Sequence, residues 1–107
     1  MRVNAGRTGL TLTGVIVQRQ SASVTVILQG QGPIHYQPVA IHGSQLAIDL
    51  SHSISSLKFD KLQVGHRLLK DIRIEQYTQK LRLVFALVAR VRYAIKVSGN
   101  VLAIQFK

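Results

Sequence analysis

The sequence predicts an all-β protein: an eight-stranded antiparallel β-sandwich built from two pseudo-symmetric four-stranded halves. Three observations lead there. Apolar residues recur at every second position, as in "VTVIL" (Val24 to Leu28) and "LRLVFAL" (Leu81 to Leu87), which is the period of a sheet with one buried face. Turn-forming clusters punctuate these runs, with "QGQGP" at 29–33, "HGS" at 42–44 and "SGN" at 98–100. The pattern also repeats, since a shift of 57 residues lays "TGVIVQ" on "KDIRIE", "VTVIL" on "LRLVF" and "PIHY" on "RVRY". That register holds without a gap from Thr13/Lys70 to Tyr36/Tyr93, and one deletion later "LAIDL" meets "LAIQF". A period this long, seen twice, describes a duplicated half-domain whose copies share one core.

The elements follow in order. A flexible N-terminal segment, 1–9, precedes a single domain over 10–107, with copies at about 12–50 and 70–106 and a linker at 51–69. Strands are expected near 12–19, 22–28, 34–41 and 45–50, then near 70–76, 80–87, 91–98 and 101–106, the last two joined by a tight hairpin through "SGN". In the linker, Leu57, Phe59, Leu62 and Val64 are expected to tack the chain against the core, with room for a short turn of helix. Tyr36 and Tyr93 occupy equivalent positions and are expected on the buried face, with their hydroxyls at the rim.

Alternation also sorts the charges. If Leu81, Leu83, Phe85, Val91, Tyr93, Ile95, Leu102, Ile104 and Phe106 point inward, Arg82, Arg92 and Lys96 point outward, and Arg73 joins them once Ile72 and Ile74 are buried. Arg82 and Arg92 are expected on neighbouring strands, whereas their first-copy equivalents are Thr25 and His35. The chain of 107 residues carries 14 Lys and Arg against 4 Asp and Glu, a formal net charge of +10. Up to Leu57 three arginines face Asp49 alone, while beyond it eleven cations face three acids, so the positive field belongs mainly to the second half of the chain. Such a surface seeks anions.

Order and spacing along residues 10–107 carry a family resemblance. A strand like "LRLVFAL", a tyrosine-bearing strand like "VRYAIKV" and a closing strand like "LAIDL" or "LAIQF" each occur twice or in recognisable counterpart, and "LKFDKLQVGHRLLKDIRIEQ" joins the copies. Together these resemble the AMIN domain. The resemblance implies a non-catalytic envelope module of the kind that stands at the N-terminus of periplasmic N-acetylmuramoyl-L-alanine amidases and type IV pilus secretins. It implies a periplasmic location and peptidoglycan as ligand, and of the two parent proteins a secretin is expected ahead of an amidase. The closing strand keeps Asp49 in the first copy but has Gln105 in the second, which makes the second copy's outer face more basic.

The candidate ligand-binding residues are Arg73, Arg82, Arg92 and Lys96, with Tyr77 at a strand end as a platform for a sugar. Guanidinium groups take carboxylates bidentately, and the stem peptides of peptidoglycan present carboxylates. The competing explanation for any single cation is solubility and protection of strand edges. Two further readings stand beside the first. One is a protein-interaction module, with an edge strand or the outward Ile27 and Val84 meeting another envelope or pilus-assembly protein. The other is nonspecific nucleic-acid binding, favoured by charge but without an aromatic-basic motif or any sign of specific recognition. The four acids form no general acid and base pair, the four histidines lie in separate segments, and there is no cysteine. No enzyme activity, metal site or cofactor is therefore expected, and no run of the sequence is long and apolar enough for membrane insertion.

Overall fold

The computed structural model describes residues 9–88 and 91–107, with the side chains of 40–42 outside the description. The segment expected to be flexible, 1–9, therefore lies outside the described residues except for Gly9. Every regular element described is a strand. The first copy supplies β1 (Thr11–Arg19), β2 (Val24–Gln31), β3 (Tyr36–His42) and β4 (Gln45–Ser51). The linker supplies β5 (Ile54–Ser55) and β6 (Lys61–Gln63). The second copy supplies β7 (Leu69–Gln76), β8 (Lys80–Leu87), β9 (Tyr93–Ser98) and β10 (Val101–Phe106). The eight expected strands thus become ten, because the linker pairs with both sheets and forms no helical turn.

The ten strands form two sheets of five, in the orders β5-β1-β2-β10-β9 and β3-β4-β8-β7-β6. Each sheet therefore joins the first hairpin of one copy to the last hairpin of the other. Adding the 57-residue offset turns β1-β2 into β7-β8, and the bulge between Leu12 and Gly14 reappears between Leu69 and Asp71. Between β2 and β3, and between β8 and β9, the chain leaves one sheet for the other. This corrects the expected neighbourhood of Arg82 and Arg92, since β8 belongs to the second sheet and β9 to the first. Alternation fixes the face on which a side chain stands, but it carries no information about which strand lies alongside.

Inward residues from both sheets make one core. Val24, Val26, Leu28, Leu102, Ile104 and Phe106 meet Ile48, Leu50, Ile72, Leu81, Leu83 and Phe85, all with no exposed surface. Phe85 and Phe106, from opposite sheets, bring their ring centroids to 5.4 Å at an interplanar angle of 51°, the tilted contact that aromatic quadrupoles favour. The linker is pinned by hydrogen bonds as well as by packing. The amides of Ile54 and Ser56 donate to the carbonyls of Leu10 and Leu12 at 3.0 Å, and the buried Ser53 hydroxyl accepts from the Leu10 amide at 3.0 Å. Val64 is buried, and Leu57 and Leu62 pack partly against the core, but Phe59 is exposed.

Two other expectations are corrected. Tyr36 and Tyr93 are 38% and 45% exposed. Each begins an edge strand, so its side chain takes the core side while one flank has no neighbouring strand to cover it. Val84, expected to be an exposed apolar contact, is buried although it faces outward, flanked in register by Ala47 and Arg73. Ile27 is half-buried beside Ile16 of β1, which is exposed.

Candidate functional site

The five candidate residues divide between the two outer faces. On the second sheet, Asp49 of β4 stands opposite Arg82 of β8, and Arg82 stands opposite Glu75 of β7. Arg82 grips Asp49 with two bonds, Nε to Oδ1 at 2.7 Å and Nη2 to Oδ2 at 3.1 Å, and Lys80 Nζ reaches Oδ2 at 3.2 Å. Tyr77, just beyond β7, receives both cations at its ring, with Lys80 Nζ 5.3 Å and the Arg82 guanidinium carbon 5.7 Å from the centroid, within cation–π range. Its hydroxyl donates to Glu75 Oε1 at 2.9 Å. Arg73 lies on the same outer face, half-buried, two residue pairs along from Glu75 and Arg82 and opposite Lys61 of β6.

The cluster is thus internally neutralised. Hydrogen bonding from Arg82 holds the Asp49 carboxyl below the usual carboxylate range, against the opposing effect of its burial. Hydrogen bonding to Asp49 raises Arg82, and hydrogen bonding to Glu75 raises the Tyr77 phenol. Asp49, only 15% exposed, satisfies two cations that alternation alone leaves free.

A stability prediction follows from the sign of the Asp49 shift. A carboxyl whose folded pKa is depressed stabilises the fold above its unfolded pKa, and that contribution fades as pH falls through the folded value. Asp49→Asn is therefore expected to cost about 1.5–3 kcal/mol at neutral pH, the scale of hydrogen bonds to charged groups. The cost should shrink as pH drops below the usual Asp range, where the wild type loses the same contribution. Urea midpoints of both proteins at neutral and strongly acidic pH measure it, and an equal gap at both would show that the carboxylate's charge is irrelevant.

The first sheet is the opposite case. Its five strands contain no Asp or Glu. The 57-residue offset carries Thr25 to Arg82, and the single deletion carries Asp49 to Gln105, so the neutral pair Thr25 and Gln105 occupies the place of the ion pair. Around it, Ala94, Lys96 and Ala103 line a shallow depression of about 200 Å³. It exists because small side chains alternate with long ones along the outward positions of β9 and β10.

Arg92 continues this face. Its amide and carbonyl exchange hydrogen bonds of 3.0 and 2.9 Å with Lys107. The ladder thereby extends one rung past Tyr93 and Phe106 and points both cations outward. Arg92, Lys96 and Lys107 are exposed and make no ion pair among the described residues. Lys107, the third member, is absent from the sequence-derived candidates. Its signal is nevertheless present, as the next alternating position after Gln105 in "VLAIQFK".

In a comparison with protein families, the model of the AMIN domain matches residues 14–106. The chain belongs to the AMIN family. The match runs from within β1 to the end of β10 and so spans both copies and the linker, with Lys107 one residue beyond it. No curated protein matches the chain. AMIN domains are non-catalytic modules of periplasmic, envelope-associated proteins, and this AMIN domain has, among its described residues, no helix long and apolar enough to cross a membrane.

Proposed function

We propose that this AMIN domain is a targeting module that binds peptidoglycan and so localises the larger protein to which it is attached. One observation carries the reading: the first sheet lacks acids and displays Arg92, Lys96 and Lys107 beside a depression lined by Thr25 and Gln105. A cation whose counter-ion belongs to the same fold gains little by exchanging it for another, as at Arg82 with Asp49. A cation without one gains the whole contact. Arg92 supplies a planar fork for a stem-peptide carboxylate, the two lysines supply point charges, and Thr25 and Gln105 offer neutral donors and acceptors for amides or sugar hydroxyls. Tyr77 and its 580 Å³ depression at the end of the second sheet are a secondary surface, since both nearby cations are already engaged there.

We further propose a type IV pilus secretin, in preference to an amidase, as the parent protein, with a periplasmic location, and the sequence adjoining this domain in its parent tests that choice. The binding reading is tested by sedimentation of the purified domain with sacculi at stepped salt concentrations, with duplex DNA as a parallel ligand. Exposed charges are screened beyond about 8 Å at physiological ionic strength, so the domain is expected to pellet with sacculi at low salt and to be released progressively as salt rises. Absence from the pellet at low salt would overturn the reading. Preference for DNA over sacculi at equal salt would move the function to nucleic acid.

A further inference from the structure

The free edge of β9 is built differently from the other edges of the sandwich. Because Arg92 and Lys107 exchange both backbone hydrogen bonds, the alternation of an antiparallel ladder makes Ala94, Lys96 and Ser98 the residues bonded to β10. The amides and carbonyls of Tyr93, Ile95 and Val97 therefore point away from β10, toward the open side. No backbone hydrogen bond among the described residues reaches them there. On the core side of the same strand, Tyr93 is 45% and Val97 41% exposed. An added strand would pair with the first set of groups and cover the second.

The remaining edges differ from it. β5 and β6 are two and three residues long, and because β5 pairs only with Thr11 and Leu12, the outer flank of β1 from Gly14 to Arg19 is open among the described residues as well. Arg19 is the one cation on that stretch, so it lacks the cationic flank that β9 has. β3, the counterpart of β9, carries Pro38 at the position equivalent to Ile95 under the 57-residue offset. Proline has no amide hydrogen, so the central donor of that edge is missing. The duplicated fold thus presents the same edge twice, blocked in one copy and complete in the other.

We propose that β9 accepts an extended acidic segment of another protein by β-strand addition. Charge selects the partner. Arg92, Lys96 and Lys107 flank the edge and the first sheet holds no acid, so glutamates or aspartates alternating with apolar residues would meet cations on the outer side and Tyr93 and Val97 on the inner. A second copy of this chain is the poorer occupant, since each carries a net charge of +10. The edge itself does not rest on the peptidoglycan reading, but an acidic strand and the sacculus would draw on the same cations and are expected to compete for them.

The test is amide exchange, followed by NMR, on the labelled domain titrated with a capped peptide in which valine and glutamate alternate. Saturating peptide is expected to slow exchange at Tyr93, Ile95 and Val97 at least tenfold. Ile95→Pro, which copies the blocked edge of β3, is expected to abolish peptide binding while leaving sacculus binding unchanged. Should that variant fail to fold, Arg92→Glu with Lys96→Glu should reverse the preference, toward a peptide alternating valine and lysine. Unchanged exchange at the three amides would overturn the proposal, as would equal binding of the two peptides by the wild type. Protection of the same amides in a dimer of the free domain would overturn it in favour of self-association.

Discussion

Phe106→Ala is expected to destabilise the domain by about 3–5 kcal/mol, the usual cost of truncating a fully buried phenylalanine. The site leaves little scope for relief. Phe106 has no exposed surface and stands opposite Val24 on β2 and Tyr93 on β9, and its ring meets Phe85 from the other sheet. Removing it deletes contacts across the sandwich and along both neighbouring strands at once. In a domain of this size each kcal/mol shifts Tm by about 4–8 °C, so the loss should be plain by thermal or urea unfolding. Phe106→Leu, which keeps most of the volume, should cost substantially less. The two variants together separate packing from aromaticity: similar losses would show that the tilted ring contact matters more than the volume filled, whereas a loss below about 1 kcal/mol for alanine would show that the core closes over the void.

The same residue shows how far the sequence can be read. Alternation alone turns Phe106 and Phe85 inward, because in a sheet the face of a side chain is a local property, set by counting residues from a known neighbour. The hairpin through Gly99 and Asn100 is equally local, and Gly99 takes the positive φ of 61° that such a turn requires. Strand neighbours are not local. Closeness in sequence suggests that Arg82 and Arg92 stand side by side, but the chain changes sheets between them and Arg82 finds Asp49 instead, 33 residues away. Nothing in the alternation of β4 or β8 marks that partner. The repeat holds the missing information: a shared core formed by exchanging hairpins puts the closing strand of one copy beside the second strand of the other, which brings Asp49 to Arg82 and Gln105 to Thr25. Edge exposure is hidden for a related reason, since Tyr36 and Tyr93 have the correct face but lie on strands with only one neighbour.

That exchange determines where sacculus binding should be lost. Arg92→Ala, Lys96→Ala and Lys107→Ala combined are expected to weaken binding at least tenfold at low salt and to flatten its salt dependence. Each exposed cation alone should account for no more than a several-fold change, because a single solvent-screened contact is weak. Stability should hardly move, since these three side chains face outward and make no ion pair among the described residues. Lys80→Ala with Arg82→Ala is the informative contrast. It removes two positive charges from the second sheet, against three from the first, yet those cations are already bound to Asp49, so sacculus binding should change little while stability falls as the carboxylate loses its partners. Sacculi whose carboxylates have been converted to amides should bind the wild type as weakly as the triple variant binds untreated ones. Equal losses from both sets of substitutions would mean that overall charge, and not the acid-free face, draws the domain to the wall. A loss confined to the Lys80 and Arg82 pair would move the site to the surface beside Tyr77.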